Sequence, residues 1–274
     1  MNASKSRMAQ KYGPWALVTG ASDGIGQAFA RHLAAEGLHL VLIARREPAL
    51  ADLAAELKRG HGVQCLVLKA DLSDLEEVRR VANATSDLDV GLLVAAAGFG
   101  TSGPLLDSNL AAETEMVDLN CTGVLALASY LGPRLIKRGR GGVVFMSSLL
   151  AFHGTPRAAN YAATKAYIQT LAEGLRVEWA PLGVDVIASA PGPVSSGFAA
   201  RANMHMAQTV PAEVVARVTM QALGHKTTVR PGWLSKLLGW SLATMLRWGQ
   251  VMVITRVMKG MTAHQDRVTG RSSI

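Results

Sequence analysis

Short apolar runs alternate along the chain with segments of helical periodicity. Six runs predict strands, at 15–20, 39–45, 63–72, 90–98, 141–148 and 184–192, and a seventh at 227–232 completes the series. Helices are predicted between them, the longest over about 109–138 and 158–180. Nearly continuous apolar strands joined by helices are typical of a parallel sheet that is covered on both faces. The pattern therefore predicts an α/β fold, a doubly wound parallel sheet of about seven strands.

No repeat, low-complexity linker or shift in composition divides the chain before residue 230. We therefore expect one Rossmann-like domain over 1–232 and a separate extension over 233–274. Residues 1–14 lack the apolar core of a signal peptide and are interpreted as a short polar leader. The expected location is cytoplasmic. Two distant cysteines, Cys65 and Cys121, have no metal-ligand spacing, so no metal site is predicted.

The extension is both apolar and basic. The formal charge of the chain is +8, and residues 225–274 carry eight Lys or Arg side chains against one acid, Asp266. On a helical projection Lys236, Ala243, Arg247 and Gln250 share one narrow arc, which predicts amphipathic helices. Arg247 argues against a membrane-spanning helix. Two interpretations stay open, peripheral contact with a membrane or coverage of a substrate pocket or subunit interface. The charges are dispersed among apolar residues, so no nucleic-acid partner is expected.

A glycine-rich turn follows the first predicted strand and opens a helix. It has the spacing TGxxxGxG and runs from Thr19 to Gly26. Glycines permit a tight turn and let a pyrophosphate approach the backbone, and the helix N-terminus favours its negative charge. We therefore predict that this turn binds a dinucleotide. The predicted contacts are Gly20, Ser22, Asp23, Gly24, Ile25 and Gly26.

The end of the second strand bears on which dinucleotide is bound. Sites for NAD place a carboxylate about 20 residues after the glycine turn, on the ribose 2′-hydroxyl. Here Ala44 stands at that place, and Arg45 and Arg46 follow. Guanidinium groups match the geometry and charge of a 2′-phosphate. The sequence predicts NADP(H), bound by Arg45 and Arg46.

A candidate catalytic set lies between the fifth and sixth strands. Tyr161 and Lys165 form a YxxxK pair on a predicted helix, so their side chains share one face. A phenol has a pKa of about 10, and we expect the nearby ammonium and the positive charge of the nicotinamide to lower that pKa. Ser148, at the end of the fifth strand, is expected to hydrogen-bond the substrate oxygen. Tyr161 is the predicted proton donor.

The order and spacing of these motifs over residues 13–232 resemble the short-chain dehydrogenase/reductase family. The resemblance implies a fourth catalytic residue, Asn120, which kinks its helix and holds a water that links Lys165 to solvent. It also implies that Tyr161 and Lys165 contact the cofactor, Lys165 through the nicotinamide ribose.

Further cofactor contacts follow from the same resemblance. The implied set is Asp71, Leu72, Ala97, Gly98, Pro191, Gly192, Val194 and Ser196. The family often has NNAG after its fourth strand, where this chain has Ala95-Ala96-Ala97-Gly98, which removes two amides. Ser196 replaces a threonine but keeps the hydroxyl.

The expected activity is NADPH-dependent reduction of a ketone or aldehyde, or oxidation of the alcohol, on a lipophilic small molecule. Substrate contacts are expected from residues 99–106, 149–158 and 195–210, the last as a mobile lid. His153 and Arg157 either touch a polar group or are solvated. The resemblance also implies a homodimer or homotetramer that assembles through the predicted helices at 109–138 and 158–180. A non-catalytic dinucleotide sensor on the same fold is the main alternative.

Overall fold

The structure is a computed structural model that describes residues 6–206, 208–232, 235 and 245–269, with side chains as far as residue 265. Its strands are β1 Trp15–Thr19, β2 His39–Ala44, β3 Cys65–Lys69, β4 Val90–Ala95, β5 Gly141–Met146, β6 Val184–Ser189, β7 Val194–Ser195, β8 Val210–Pro211 and β9 Thr228–Val229. Its helices are α1 Arg7–Tyr12, α2 Gly24–Ala35, α3 Glu47–His61, α4 Leu75–Ala84, α5 Leu110–Val117, α6 Gly123–Arg138, α7 Ala159–Trp179, α8 Phe198–Arg201, α9 Ala212–Ala222 and α10 Arg247–Thr269.

Seven of the described strands form one parallel sheet, in the order β3-β2-β1-β4-β5-β6-β9. The chain runs outward from β1 to β3 and then returns to β4 on the other side of β1. Ligands of doubly wound sheets bind at the carboxyl end of such a reversal. The predicted doubly wound sheet is confirmed, and its switch point lies between β1 and β4.

Alternate strand residues supply two cores, one on each face of the sheet. Leu17 and Phe145 belong to the core beneath α4, α6 and α7. Val18 and Val144 belong to the core beneath α2, α3 and α9. Because both faces are buried, the strands lack the alternation of polar residues that a half-exposed sheet requires.

The N-terminal segment is more ordered than a polar leader. It forms α1, and the hydroxyl of Tyr12 donates to Asp185 at the start of β6 over 2.6 Å. Lys11 pairs with the same carboxylate at 2.5 Å. Burial, followed by the bond to Asp185, raises the pKa of Tyr12. The interpretation as a mere leader was therefore incomplete, because α1 docks against the sheet.

The last described helix, α10, packs on the carboxyl side of the sheet. Ile254, Met258 and Thr262 are buried, and the first two join the core that contains Phe99 and Met204. Within the described ranges, no helix is both long and apolar enough to cross a bilayer. The predicted helical segments at 233–234 and 236–244, with Lys236 and Ala243, lie outside the described residues. The division into 1–232 and 233–274 stays a prediction.

Candidate active site

The glycine turn closes tightly between β1 and α2. A Cβ atom at Gly26 would lie 2.3 Å from the carbonyl oxygen of Gly20, so only glycine fits there. Gly24 has a φ of +52°, and a Cβ atom on it would lie 2.7 Å from Cβ of Ser196. Asp23, at the N-cap of α2, makes no capping bond with its side chain. The first turn of α2 therefore opens without a side-chain cap beside the space that a pyrophosphate would occupy.

This turn forms one wall of a crevice of about 360 Å³ at the switch point. The crevice brings together most of the predicted cofactor residues. Its walls include Gly20, Ser22, Asp23, Gly24, Ile25, Gly26, Arg45, Arg46, Asp71, Leu72, Ala97, Gly98 and Ser196. Thr19 at the end of β1 connects the glycine turn to the segment that follows β4. Its hydroxyl accepts hydrogen bonds from the backbone N–H groups of Ala96 at 3.0 Å and Ala97 at 2.9 Å.

The two predicted 2′-phosphate ligands are already paired with acids. Nη1 of Arg45 lies 3.0 Å from Glu115 and 3.3 Å from Asp71. Nη2 of Arg46 lies 3.6 Å from Asp23 and donates to the carbonyl oxygen of Ser22. The local sequence does not reveal these ion pairs, because Asp71 and Glu115 lie far from Arg45 along the chain.

Asp71 follows β3 and faces the crevice beside Arg45. Burial alone would raise the pKa of the Asp71 carboxyl, but bonds from Ser73 and the charge of Arg45 outweigh it, so the pKa is lowered. The Ser73 hydroxyl donates to Oδ1 over 2.7 Å. Asp71 is therefore an ionised acceptor with one fixed oxygen.

Asn120 lies where the predicted helix over 109–138 is interrupted. Residues Asp118–Thr122 form a π-helical turn between α5 and α6. The Asn120 side chain is buried, accepts from the N–H of Phe99 at 3.1 Å, and donates to the carbonyl oxygen of Phe99 and to Thr164. It thereby joins the end of β4 to α7. The water link to Lys165 stays a prediction.

Ser148, Tyr161 and Lys165 come together at the carboxyl edge of β5. Tyr161 and Lys165 are buried on one face of α7, and the amine lies 5.7 Å from the centre of the phenol ring. Nζ of Lys165 donates to the carbonyl oxygen of Met146 over 2.9 Å, and Gly98 leaves room beside it. The Ser148 hydroxyl is near enough to the Tyr161 phenol to lower its pKa. Ser148 also accepts from the N–H of Leu150 at 3.2 Å, which fixes its rotamer.

Burial dominates the proton affinities of this set. It raises the pKa of Tyr161 to about 12, against the lowering effect of the bond with Ser148. It lowers the pKa of Lys165 to about 8. The predicted lowering of the Tyr161 pKa by the amine is therefore wrong for the protein alone, because desolvation of the phenolate is the larger effect.

Only one of the four predicted cofactor residues in the motif after β6 lines the crevice. Ser196 reaches the crevice, whereas Pro191, Gly192 and Val194 do not belong to its described walls. The carbonyl oxygen of Pro191 accepts from Leu149 at 2.9 Å, and the N–H of Gly192 donates to buried Ser235 at 2.9 Å. Val194 is buried where β7 pairs with β8. The cofactor roles of these three residues stay predictions.

The predicted lid packs over the site. The Phe198 ring centre lies 5.3 Å from that of Tyr161, and Met204 is buried in the core. Arg201, which sequence reasoning missed, lines the crevice, stacks 3.9 Å above the Phe99 ring and lies 3.4 Å from Glu115. Arg201 belongs to none of the sequence motifs, and the fold of the lid brings it to the crevice.

His153 and Arg157 are partly buried, and each contacts a glutamine side chain of α10. Nδ1 of His153 lies 3.0 Å from Oε1 of Gln250, and burial lowers the pKa of this histidine. Nη2 of Arg157 donates to Oε1 of Gln265 over 3.1 Å. Of the two alternatives, contact with a polar group is therefore the one found, and both residues hold α10 in place.

Comparison with known proteins identifies the family. The model of the short chain dehydrogenase family matches residues 14–207. The chain belongs to this family.

Two curated relatives show the range within the family. A very-long-chain 3-oxoacyl-CoA reductase of Podospora anserina is 39% identical over 181 residues, which is 64% of this chain and 53% of that protein. An inactive hydroxysteroid dehydrogenase-like protein 1 of Mus musculus is 32% identical over 203 residues, 73% of this chain and 62% of its own. The matched region thus spans between half and two thirds of the length of these two relatives.

Solved structures match over more of the chain. A 7beta-hydroxysteroid dehydrogenase structure superposes with a TM-score of 0.83 at 26% identity, covering 90% of this chain and 98% of its own. A short-chain dehydrogenase from Sphingobium yanoikuyae in complex with NADPH gives 0.77 at 27% identity, covering 86% and 97%.

Proposed function

We propose that this chain is an NADP(H)-dependent oxidoreductase that interconverts a carbonyl group and an alcohol on a lipophilic small molecule. The observation that carries the proposal is the meeting of Ser148, Tyr161 and Lys165 next to two residues of the crevice wall. Phe198 lines that crevice and packs on Tyr161, while Gly98 lines it beside Lys165.

The crevice fits a nicotinamide dinucleotide. Glycine at position 26 lets the turn close against the carbonyl oxygen of Gly20, and the uncapped first turn of α2 presents N–H donors to a phosphate. The nicotinamide would supply or accept the hydride at the Tyr161 end of this crevice. Ile25, Leu72 and Ala97 would line its apolar parts.

The protein's own groups handle the substrate oxygen and its proton. With the pKa of Tyr161 near 12, the phenol is protonated at neutral pH and can donate to a developing alkoxide. Ser148, bonded to the phenol, would orient that oxygen. Lys165 would carry the replacement proton, because its pKa of about 8 places its titration near working pH.

Selection of NADP(H) rests on the two arginines that follow β2. Their carboxylate partners are about two-fifths or more exposed, and exposed ion pairs contribute only ~0–1 kcal/mol. Arg45 and Arg46 can therefore exchange these partners for a 2′-phosphate at little cost. A relative in complex with NADPH supports the same choice.

A lipophilic substrate fits the surfaces around Tyr161. Leu149 and Met204 are buried there, and Phe198, Leu150 and Met206 pack on the same core. Methionine adapts to irregular apolar ligands. The relatives named for 3-oxoacyl-CoA and hydroxysteroid chemistry support a substrate of this character.

The decisive test is Tyr161→Phe in the full chain, with a panel of lipophilic ketones and absorbance of NADPH as the readout. We expect wild-type turnover and a loss of ~100-fold or more in the variant, with NADPH affinity unchanged. Retained turnover would refute Tyr161 as the proton donor.

A non-catalytic dinucleotide-binding protein is the second candidate, favoured by the relative named inactive. It predicts NADPH binding without turnover of any panel member. Retention of Ser148, Tyr161 and Lys165 in bonded geometry supports the enzyme instead.

A homo-oligomer through α5, α6 and α7 is part of the proposal. Large apolar side chains stand exposed on these helices, among them Tyr130 at 43%, Tyr167 at 41% and Val177 at 76%. A shallow groove of α7, lined by Tyr167, Leu171 and Leu175, offers a surface for a second copy.

The proposal includes a cytoplasmic location and peripheral contact with a membrane through the outer face of α10. Trp248 and Met252 are 67% and 56% exposed, and the exposed basic residues Arg256 and Lys259 follow on the same face. Apolar anchors interleaved with basic residues suit an anionic lipid surface.

A further inference from the structure

The lid contributes a cation to the crevice that is proposed to hold the cofactor. Among the described walls, the cationic side chains are Arg45, Arg46 and Arg201. The first two follow β2 directly, whereas Arg201 is the last residue of α8 in the lid. A guanidinium group in a dinucleotide crevice is well suited to bind a phosphate. The question is therefore which phosphate of the cofactor Arg201 can reach.

Arg201 and Arg45 meet at a single atom. Nη2 of Arg201 lies 3.4 Å from Oε1 of Glu115, and Nη1 of Arg45 lies 3.0 Å from the same oxygen. Because both guanidinium groups contact one oxygen, one small anion can reach both. Glu115 is not among the described crevice walls, whereas both arginines are. The carboxylate thus gathers two cations from distant segments at the wall of the crevice.

The Arg201 side chain has a defined position. Its guanidinium group stacks 3.9 Å from the centre of the Phe99 ring. The next residue, Ala202, is buried, and its carbonyl oxygen accepts a hydrogen bond from the hydroxyl of Ser102 over 2.6 Å. A side chain that is already ordered loses less conformational freedom when it binds a ligand.

The present partner of Arg201 can be exchanged for a stronger anion. The side chains of Arg45, Arg201 and Glu115 are each about two-fifths exposed, and ion pairs of this kind are weak. Burial, followed by the charge of Arg45, lowers the pKa of the Arg201 guanidinium, so the two cations lie close enough to repel each other. A phosphate offers more charge and more acceptor oxygens than a carboxylate. It would relieve this repulsion by binding to both guanidinium groups.

We propose that Arg201 is a third ligand of the 2′-phosphate of NADP(H), supplied by the lid beside Arg45 and Arg46. This rests on the proposed function, since it assigns a further residue to the same cofactor. Helix α8 also carries Phe198, whose ring centre lies 5.3 Å from that of Tyr161. The same short helix thus packs on the proton donor and supplies a contact that NADP(H) can use and NAD(H) cannot.

Titration calorimetry on the full chain measures this contact without turnover. The probes are adenosine 2′,5′-bisphosphate and adenosine 5′-monophosphate, which differ by the 2′-phosphate alone. Loss of a charge-assisted bond predicts that Arg201→Gln raises the Kd of the bisphosphate about tenfold and leaves that of the monophosphate unchanged. Arg140→Gln, at an exposed position, is the matched control and should change neither Kd. An unchanged Kd of the bisphosphate in Arg201→Gln, or an equal loss for both probes, would overturn the proposal.

Fluorescence titration with NADPH and NADH separates this contact from the proposed function. Wild type should bind NADPH more tightly, and Arg201→Gln should reduce that preference about tenfold. Arg201→Lys, which keeps the charge, should recover part of the preference, and a value no higher than that of Arg201→Gln would count against a contact with phosphate. Binding of neither dinucleotide to wild type would refute the proposed function itself. A full preference for NADPH in Arg201→Gln would instead overturn only the role of Arg201.

Discussion

Replacing Lys165 by methionine should stabilise the fold at neutral pH while abolishing activity. Wild type buries an ammonium whose described bond is to a neutral carbonyl oxygen, that of Met146. Methionine fills a similar volume without a charge to desolvate. The functional amine is therefore a cost to stability at this position.

The size of the effect follows from the proton affinity. Burial lowers the pKa of Lys165 from 10.5 to about 8. A tenfold change in an equilibrium is about 1.4 kcal/mol, so the protonated form is disfavoured by about 3 kcal/mol on folding. Loss of the bond to Met146 offsets about 1 kcal/mol. The variant should gain about 2 kcal/mol at pH 7.

The gain should depend on pH with a defined sign. Below pH 8 both the folded and the unfolded chain hold the proton, so the penalty is complete. Between 8 and 10.5 the unfolded chain binds a proton that the folded chain has released, so wild-type stability rises with pH. The advantage of the variant should therefore nearly vanish by about pH 10.

Urea unfolding at fixed protein concentration, at pH 7 and pH 10, measures both values. Lys226→Met, at an exposed position, is the matched control and should show neither the gain nor its pH dependence. A Lys165→Met variant that is less stable than wild type at pH 7, or a gain that persists at pH 10, would refute the reasoning.

Three further results are expected. Arg45→Ala and Arg46→Ala should each lower the ratio of kcat/KM for NADPH over NADH about tenfold, and an unchanged ratio in both would remove the basis for NADP(H). Tyr167→Glu should shift the sedimentation coefficient toward that of a monomer, because it buries a charge in the proposed interface, whereas an unshifted oligomer would place the interface elsewhere. Trp248→Glu should abolish co-sedimentation with anionic vesicles, and equal binding of variant and wild type would end the membrane proposal.

The sheet could be predicted from sequence because each of its strands is marked by a run of apolar residues that are neighbours in the chain. Strands such as β1 and β5 are apolar throughout, because alternate residues enter the two cores. These runs differ clearly from the more polar helical segments between them. Tyr161 and Lys165 share a face by helical spacing alone. Even the seventh strand, predicted at 227–232, is found as β9 at the edge of the sheet.

What could not be predicted depends on contacts between distant segments. Asp71 and Glu115 reach Arg45 only after β3 and α5 are in place, so the arginine looked free. The proton affinity of Tyr161 follows from burial, which no spacing reveals. Helix α1 docks on the sheet through the bond of Tyr12 with Asp185, which lies far along the chain. These partners have no signature in the local pattern.

The most direct test of the central claim is transfer of deuterium from NADPH labelled at C4 to a lipophilic ketone, followed by mass spectrometry of the alcohol. Wild type should yield singly labelled alcohol, and Tyr161→Phe should bind NADPH with unchanged affinity and yield none above background. Labelled alcohol formed at the wild-type rate by Tyr161→Phe would contradict the account, as would binding of NADPH by wild type without transfer to any ketone.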